Sequence, residues 1–286
     1  MYSEPLFRPP SEARSLIIQV TEGCSHNKCR FCYMYKGKQF RLRSEEEIKA
    51  HIEWLKSYYR DPERIFLADG NVMCLKTEKL IELLEYIKSQ FPSAKRISSY
   101  SGPLDLIRKT DEELKLIRET GLELLYVGVE SGSDNVLSMM QKGANQQQMI
   151  EAGRKALKAG FKLSCMIISG LGGTEYMEEH AVESAKVISA VNPTYFSLLR
   201  LVVEEKSELS MDIRQGKFHL LTPLQVIDEN IMMLENMDLK DCIFRANHVS
   251  NYVNQAGTLN RDRDMLVERL KKFRKSGFVP GGSDML

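Results

Sequence analysis

Apolar residues along this chain fall into two alternating patterns, short near-continuous runs and longer stretches with helical spacing. Strand candidates stand at Ser15–Thr21, Arg64–Gly70, Arg96–Ser101, Leu124–Glu130, Lys162–Gly170 and Tyr195–Val203, several of them nearly continuous in Val, Ile and Leu. Such runs predict strands covered on both faces. Between them, apolar positions three and four apart predict helices over Ser44–Tyr59, Lys76–Phe91, Asp111–Glu119, Gln146–Ala159, Tyr176–Val191 and Thr222–Met237. Ser44 with Glu47 three residues on has the form of a capping box.

Strand followed by helix, about six times over, calls for a parallel sheet with right-handed crossovers. The strands come in simple succession and no turn carries a full GxGxxG dinucleotide loop, which favours a curled sheet over a doubly wound one. A complete barrel of this kind has about eight units. The expected fold class is therefore α/β, a partial (β/α)6 TIM-like barrel with a C-terminal extension. The expected division is an N-terminal extension over 1–14, a core over 15–238 and a C-terminal segment over 239–286 packing on or closing the barrel. The tail Gly277–Leu286 is expected to be exposed.

Composition narrows the function classes. The 286 residues are 43% hydrophobic, and 40 Lys+Arg against 39 Asp+Glu leave a net charge of +1. That balance excludes a chain-wide polycation gripping nucleic acid through phosphates alone. No apolar run approaches the roughly 18 residues of a spanning helix, and MYSEPLFRPPSEARS lacks the apolar segment of a signal peptide. The expected location is the cytoplasm, with no membrane partner.

Six cysteines stand at 24, 29, 32, 74, 165 and 242, three of them in one short loop. Disulfide frameworks belong to small secreted chains, so the cluster points to metal or redox chemistry. Cys165 and Cys242 lie in apolar runs and read as core residues. The segment Gly23-Cys24-Ser25-His26-Asn27-Lys28-Cys29-Arg30-Phe31-Cys32 directly follows the first strand, at the edge where barrel enzymes place their chemistry. Three thiolates spaced CX4CX2C can face one ion or cluster. Zinc with His26 or Cys74 as fourth ligand is one reading. The other is a [4Fe–4S] cluster with one iron left without a protein ligand.

A three-cysteine loop after the first strand of a (β/α)6 series, with Phe31 just before Cys32, resembles the radical S-adenosylmethionine superfamily. The resemblance runs from about Ser15 to Val203, and its branch is similar to that of the elongator catalytic subunit, the methylthiotransferases and coproporphyrinogen dehydrogenase. The usual spacing there is CX3CX2C, and this chain carries one extra residue. The resemblance implies that Cys24, Cys29 and Cys32 ligate a [4Fe–4S] cluster whose open iron chelates S-adenosylmethionine. Reductive cleavage then gives a 5′-deoxyadenosyl radical that acts on substrate, with electrons from a donor such as flavodoxin or ferredoxin.

The same resemblance implies cofactor contacts at later strand ends. Phe31 would lie near the adenine. Asp69, Gly70 and Asn71 stand where the superfamily has a glycine-rich turn meeting the methionine amino group, although an ordinary turn with a helix cap would look the same. Ser101 occupies the place of a ribose-binding acid. Glu130 ends an otherwise apolar strand, where an unpartnered carboxylate is costly to bury, and Lys142 follows where relatives place a cation. Met166 and Leu171 would contact the cofactor at the strand-five motif Ile167-Ile168-Ser169-Gly170-Leu171-Gly172-Gly173-Thr174-Glu175, whose backbone and apolar groups would cradle adenine.

On the substrate side, Arg200 in an apolar strand is a candidate anion anchor, and the polar stretch Arg245–Tyr252, with Asn247 and His248, could line a pocket. No second cysteine cluster, room for a cobalamin domain or basic RNA-binding appendage is visible. By elimination, the expected substrate is a small or tetrapyrrole-like molecule and nucleic acid is disfavoured. The alternative is a non-catalytic iron–sulfur or zinc module.

Overall fold

The computed structural model describes Met1–Gly277, so all but the first residue of the expected exposed tail lies outside the described residues. The chain divides into two compact units. One comprises Met1–Asn27, Met34–Val127 and Arg154–Leu163, the other Lys28–Tyr33, Gly128–Gly153 and Ser164 onward.

The first unit begins with strands β1 (Leu16–Gln19), β2 (Thr21–Glu22) and β3 (Arg41–Leu42) and helix α1 (Glu45–Lys56). It continues with β4 (Arg64–Ala68), α2 (Thr77–Gln90), β5 (Arg96–Tyr100), α3 (Pro103–Arg108), α4 (Asp111–Thr120) and the start of β6 (Leu122–Glu130). β1, β4, β5 and β6 pair in parallel, Leu16 opposite Ile65, Ile65 opposite Ile97 and Ser98 opposite Leu124. Ile18, Ile65, Phe66 and Leu67 are wholly buried with Leu80, Leu84 and Ile87 of α2, as continuous apolar strands between two covering layers require. The expected capping box is present, Glu47 N donating to Ser44 Oγ and Ser44 N to Glu47 Oε2, and Thr110 with Glu113 repeats it on α4.

The second unit holds α5 (Asp134–Met139), most of α6 (Gln146–Lys158), most of β7 (Lys162–Ser169) and α7 (Met177–Val191). Then come β8 (Tyr195–Arg200), α8 (Glu208–Arg214), α9 (Pro223–Glu235), β9 (Cys242–Ala246), β10 (Gln255–Leu259) and α10 (Arg263–Ser276). β7, β8 and β9 are parallel, Cys165 opposite Phe196 and Phe196 opposite Phe244, and β10 returns antiparallel with Gln255 opposite Ala246. Cys165 and Cys242 are buried, as expected.

One mostly parallel sheet takes its strands in the order β1-β4-β5-β6-β7-β8-β9-β10, with β2 and β3 as a separate ribbon. The six anticipated strands are all present, and this sheet has eight. The added pair, β9 and β10, lies in the C-terminal segment that was expected only to pack on or close the barrel. At five residues each, with Arg245 in one and Gln255, Gly257 and Thr258 in the other, they carry little apolar pattern. The first run also ends early: Thr21 and Glu22 leave the sheet to pair with Leu42 and Arg41. Among the described residues, no helix is long and apolar enough to cross a membrane.

Candidate active site

The loop bearing the cysteines is closed at its base by the β2–β3 ribbon, whose Glu22 and Arg41 are ion-paired. Gly23 takes a left-handed φ of +73° and its N–H donates to Asp69 Oδ2 at 2.9 Å. Asp69 is fully buried; Gln19 Nε2 donates to it at 3.2 Å and Lys38 Nζ at 2.8 Å. Burial pushes its carboxyl above the usual range, and the Lys38 and Gly23 hydrogen bonds work against that shift. Its oxygens are thus engaged by its own chain, fixing the loop base. Gly70 N donates to Gly23 O, and a Cβ on Gly70 would sit 3.1 Å from both Cα and Cβ of Cys24. Only glycine lets the turn after β4 come this close to the first cysteine.

Asn71 ties three loops together. Its Nδ2 donates to Ser25 Oγ at 3.0 Å and to Asp105 Oδ2 at 2.6 Å, and its Oδ1 accepts from Gly102 N and Met73 N. Ser101 is buried beside this junction, its backbone N–H donating to Tyr126 O. Cys74 donates its thiol to Asn71 O at 3.1 Å, and burial pushes that thiol up to about 11.

Cys29 and Cys32 belong to the second unit and lie on one turn, Cys32 N donating to Cys29 O. Arg30 between them is held from both sides: its N–H donates to Met140 O at 3.0 Å, and its carbonyl accepts from Leu209 N at 3.1 Å. Its guanidinium pairs with Asp212 and, at 3.7 Å, with Glu208, both on α8. Phe31 packs partly buried on a core of Val136, Met140, Leu171, Leu201, Leu209 and Phe218. Leu171 is therefore a core residue under Phe31. All six cysteines are free, and the three of the loop are half-buried. Among the described residues, no group of three His, Cys, Asp or Glu side chains is already drawn up to hold a metal ion. The fit to an iron–sulfur cluster rests on the donor set, three soft thiols on anchored loop segments.

Glu130 ends β6 with a φ of +68°, a left-handed conformation unusual for a residue with a side chain. Its Oε1 accepts from Lys142 Nζ at 3.1 Å, while its Oε2 is buried without a hydrogen-bond partner. Gly128 makes room for the pair, since a Cβ there would lie 1.9 Å from Glu130 Oε1 and 3.2 Å from Lys142 Nζ. A buried carboxylate oxygen left without a donor, at a strained strand end, fits the ammonium or hydroxyl groups of a ligand. The cap of α5 is supplied by Ser133, whose side chain accepts from Val136 N.

The end of β7 is equally well supported. Gly170 N donates to Glu229 Oε2 at 2.7 Å and Ser169 Oγ to Asn230 Oδ1 at 2.6 Å. Burial pushes the Glu229 carboxyl up to about 8 and the buried His180 imidazole down to about 4, so both are neutral near pH 7. Neutral His180 donates Nε2–H to Ile168 O at 3.1 Å and accepts from Ser131 Oγ through Nδ1 at 2.8 Å. Met166, half-buried, lies one strand over from Ser197 in register. Arg30, His180 and Glu229 were given no role in the sequence reading. A carboxylate and an imidazole inside apolar helices were the available signals.

The substrate candidates fare differently. Arg200 Nε donates to Ser250 O at 2.6 Å and its guanidinium lies 4.7 Å over the Tyr252 ring, a local engagement. His248 Nδ1 accepts from Ser250 N, and Asn247 is exposed.

Residues 18–185 match the model of the Radical SAM superfamily. The heme chaperone HemW of Bacillus subtilis is 25% identical over 162 residues, covering 56% of this chain and 42% of that protein. A protein of Methanocaldococcus jannaschii provisionally named as a methylthiotransferase is 29% identical over 160 residues, covering 52% and 34%. The chain thus spans less than half the length of these two relatives. Among solved structures, coproporphyrinogen III oxidase (HemN) from Escherichia coli superposes with a TM-score of 0.56 at 18% identity, covering 78% of this chain and 54% of that one. Methylornithine synthase (PylB) superposes at 0.53 and 18%, covering 93% and 82%. The chain belongs to the radical SAM superfamily, enzymes that work with a [4Fe–4S] cluster and S-adenosylmethionine.

Proposed function

We propose that this chain cleaves S-adenosylmethionine reductively and uses the product to abstract hydrogen from a small-molecule substrate, with a flavodoxin- or ferredoxin-like donor supplying the electron. The core is taken as 15–238, with 1–14 as an N-terminal extension and 239–286 as a C-terminal segment. Cys24, Cys29 and Cys32 would hold three irons of the cluster through their sulfurs. When bound, cluster and cofactor supply one-electron cleavage of a sulfonium, chemistry that no side chain provides.

The protein's own work is positioning. Lys142 Nζ holds Glu130 Oε1, and the buried Oε2 without a partner would accept from a donor group of the cofactor, with the Lys142 charge close enough to favour a carboxylate there. Gly70, Asn71 and Ser101 support the turn against Cys24, and Asp69 holds the loop base. Phe31 on Leu171, with Met166 nearby in sequence to the β7 end, supplies apolar surface that excludes water from a planar ring. The single observation that carries this reading is the orphaned, buried Glu130 oxygen beside Lys142.

The test is anaerobic reconstitution followed by reduction with S-adenosylmethionine present. Iron and sulfide near four each, and formation of 5′-deoxyadenosine, are expected. Cys29→Ala should lose the cluster. Glu130→Ala should keep iron and weaken cofactor binding at least about tenfold, the effect of losing one charge-assisted contact. Zinc without iron, or a cluster whose paramagnetic resonance ignores the cofactor, would sink the proposal and leave a non-catalytic metal module.

A further inference from the structure

Along β9, Cys242, Phe244 and Ala246 are buried while Ile243 and Arg245 are exposed. Arg245 thus stands on the sheet face opposite the core of the second unit. Register places it opposite Ser197 on β8 and Ala256 on β10, and Ser197 opposite Met166 on β7. Two strand spacings put Arg245 roughly 10 Å from Met166, Cα to Cα, within reach of a long guanidinium side chain and a small ligand together. Along this row Arg245 and Ala256 are exposed while Ser197 and Met166 are half-buried, so a ligand can reach the guanidinium from solution and extend toward a more sheltered part of the same face.

The Arg245 guanidinium lies 5.5 Å over the Tyr195 ring, a cation–π contact that does not consume its N–H donors. Among the described residues its side-chain partner is this ring, and no carboxylate pairs with it. Arg200 contrasts with it: it shares the strand parity of buried Phe196 and Leu198 and is spent on Ser250 and Tyr252. The open face around Arg245 offers hydroxyl and amide groups, Ser197 in register and Asn247 two residues on, and no second cation in that row. One planar cation with neutral hydrogen-bonding neighbours matches a monoanionic carboxylate better than a dianionic phosphate.

We infer that Arg245 is the anchor for a carboxylate carried by the small-molecule substrate, with Ser197 and Asn247 beside it. The inference rests on the enzyme reading above, because it assigns that enzyme's substrate class. The test uses the full chain with its cluster reconstituted anaerobically. A set of small monocarboxylates is titrated at constant ionic strength, each paired with its carboxamide and its phosphonate, and binding is read by calorimetry and by the Arg Nε shift.

At least one carboxylate should bind ten times or more tightly than its carboxamide. R245Q should lose that margin and R245K retain part of it, with unchanged melting curves. Equal binding of acid and amide, undiminished binding by R245Q, or a general preference for phosphonates would each overturn the assignment. Iron content and deoxyadenosine formation are scored separately on the same samples. Their failure with the carboxylate preference intact counts against the enzyme reading, and the converse counts against Arg245 alone.

Discussion

Glu229 illustrates how burial sets the chemistry of single residues in this protein. Its carboxyl is wholly buried, with one oxygen on Gly170 N and the other unpartnered, and is pushed from an ordinary 4.5 up to about 8. The folded chain therefore keeps a proton that the unfolded chain gives up above 4.5. Its stabilising effect is full below that pH and is lost as pH rises toward 8, at about 1.4 kcal/mol per unit. His180 and His51, each pulled down from 6.5 to about 4 by burial, act oppositely. Their contribution is full above 6.5 and is lost as pH falls toward 4. Stability is expected to peak near pH 6.5 and to fall by about 1.4 kcal/mol per unit on the alkaline side, with the thermal midpoint following it. Glu229→Gln, which mimics the protonated acid, should flatten the alkaline limb and steepen the acid one, because the carboxyl no longer opposes the histidines between about 4.5 and 6.5. Calorimetric scans of both proteins from pH 5 to about 8.5 decide it, and an unchanged alkaline limb would refute the assignment.

Helices with strong ends were legible at the scale of elements. Capping boxes on α1, α4 and α9 were formed as the residue types dictate, and six of the seven long helices among the described residues lie within a few residues of their anticipated spans, whereas α10 was not anticipated. The short helices α3, α5 and α8 were not legible, because six or seven residues give too few turns for a periodic pattern. Packing between elements was also invisible in the sequence. Gly132 shows why: a Cβ there would lie 2.1 Å from Glu183 O in the backbone of α7, and its N–H donates to Ser184 Oγ. Gly132→Ala is expected to cost about 3 kcal/mol or more, since rigid backbone must move. Ser44→Ala, at an exposed cap, should cost only about 1 kcal/mol. Urea midpoints for the two variants test the ranking, and comparable losses would contradict it.

At the scale of the whole molecule, the C-terminal segment is integral to the second unit. β9 pairs with β8, and Leu266, Val267 and Leu270 of α10 are buried. Ending the chain at Met237 would strip a central strand of its neighbour and uncover Phe196 and Leu198. That truncated chain is expected to lose cooperative unfolding and to bind the dye that reports molten states. A sharp, native-like calorimetric transition would show the segment to be dispensable.

The amino-acid order alone determined the succession of strands and helices, the free thiols at 24, 29 and 32 and the presence of a carboxylate at the end of β6, because periodicity and spacing are local properties. Which polar groups meet was decided only by the folded chain. Asp69 is consumed by Gln19, Gly23 and Lys38, Glu130 meets Lys142 yet keeps one oxygen free, and Arg245 rather than Arg200 faces the open side of its sheet. Partners far apart in sequence are chosen by strand register and side-chain parity, and a shift of one residue exchanges the two faces of a strand.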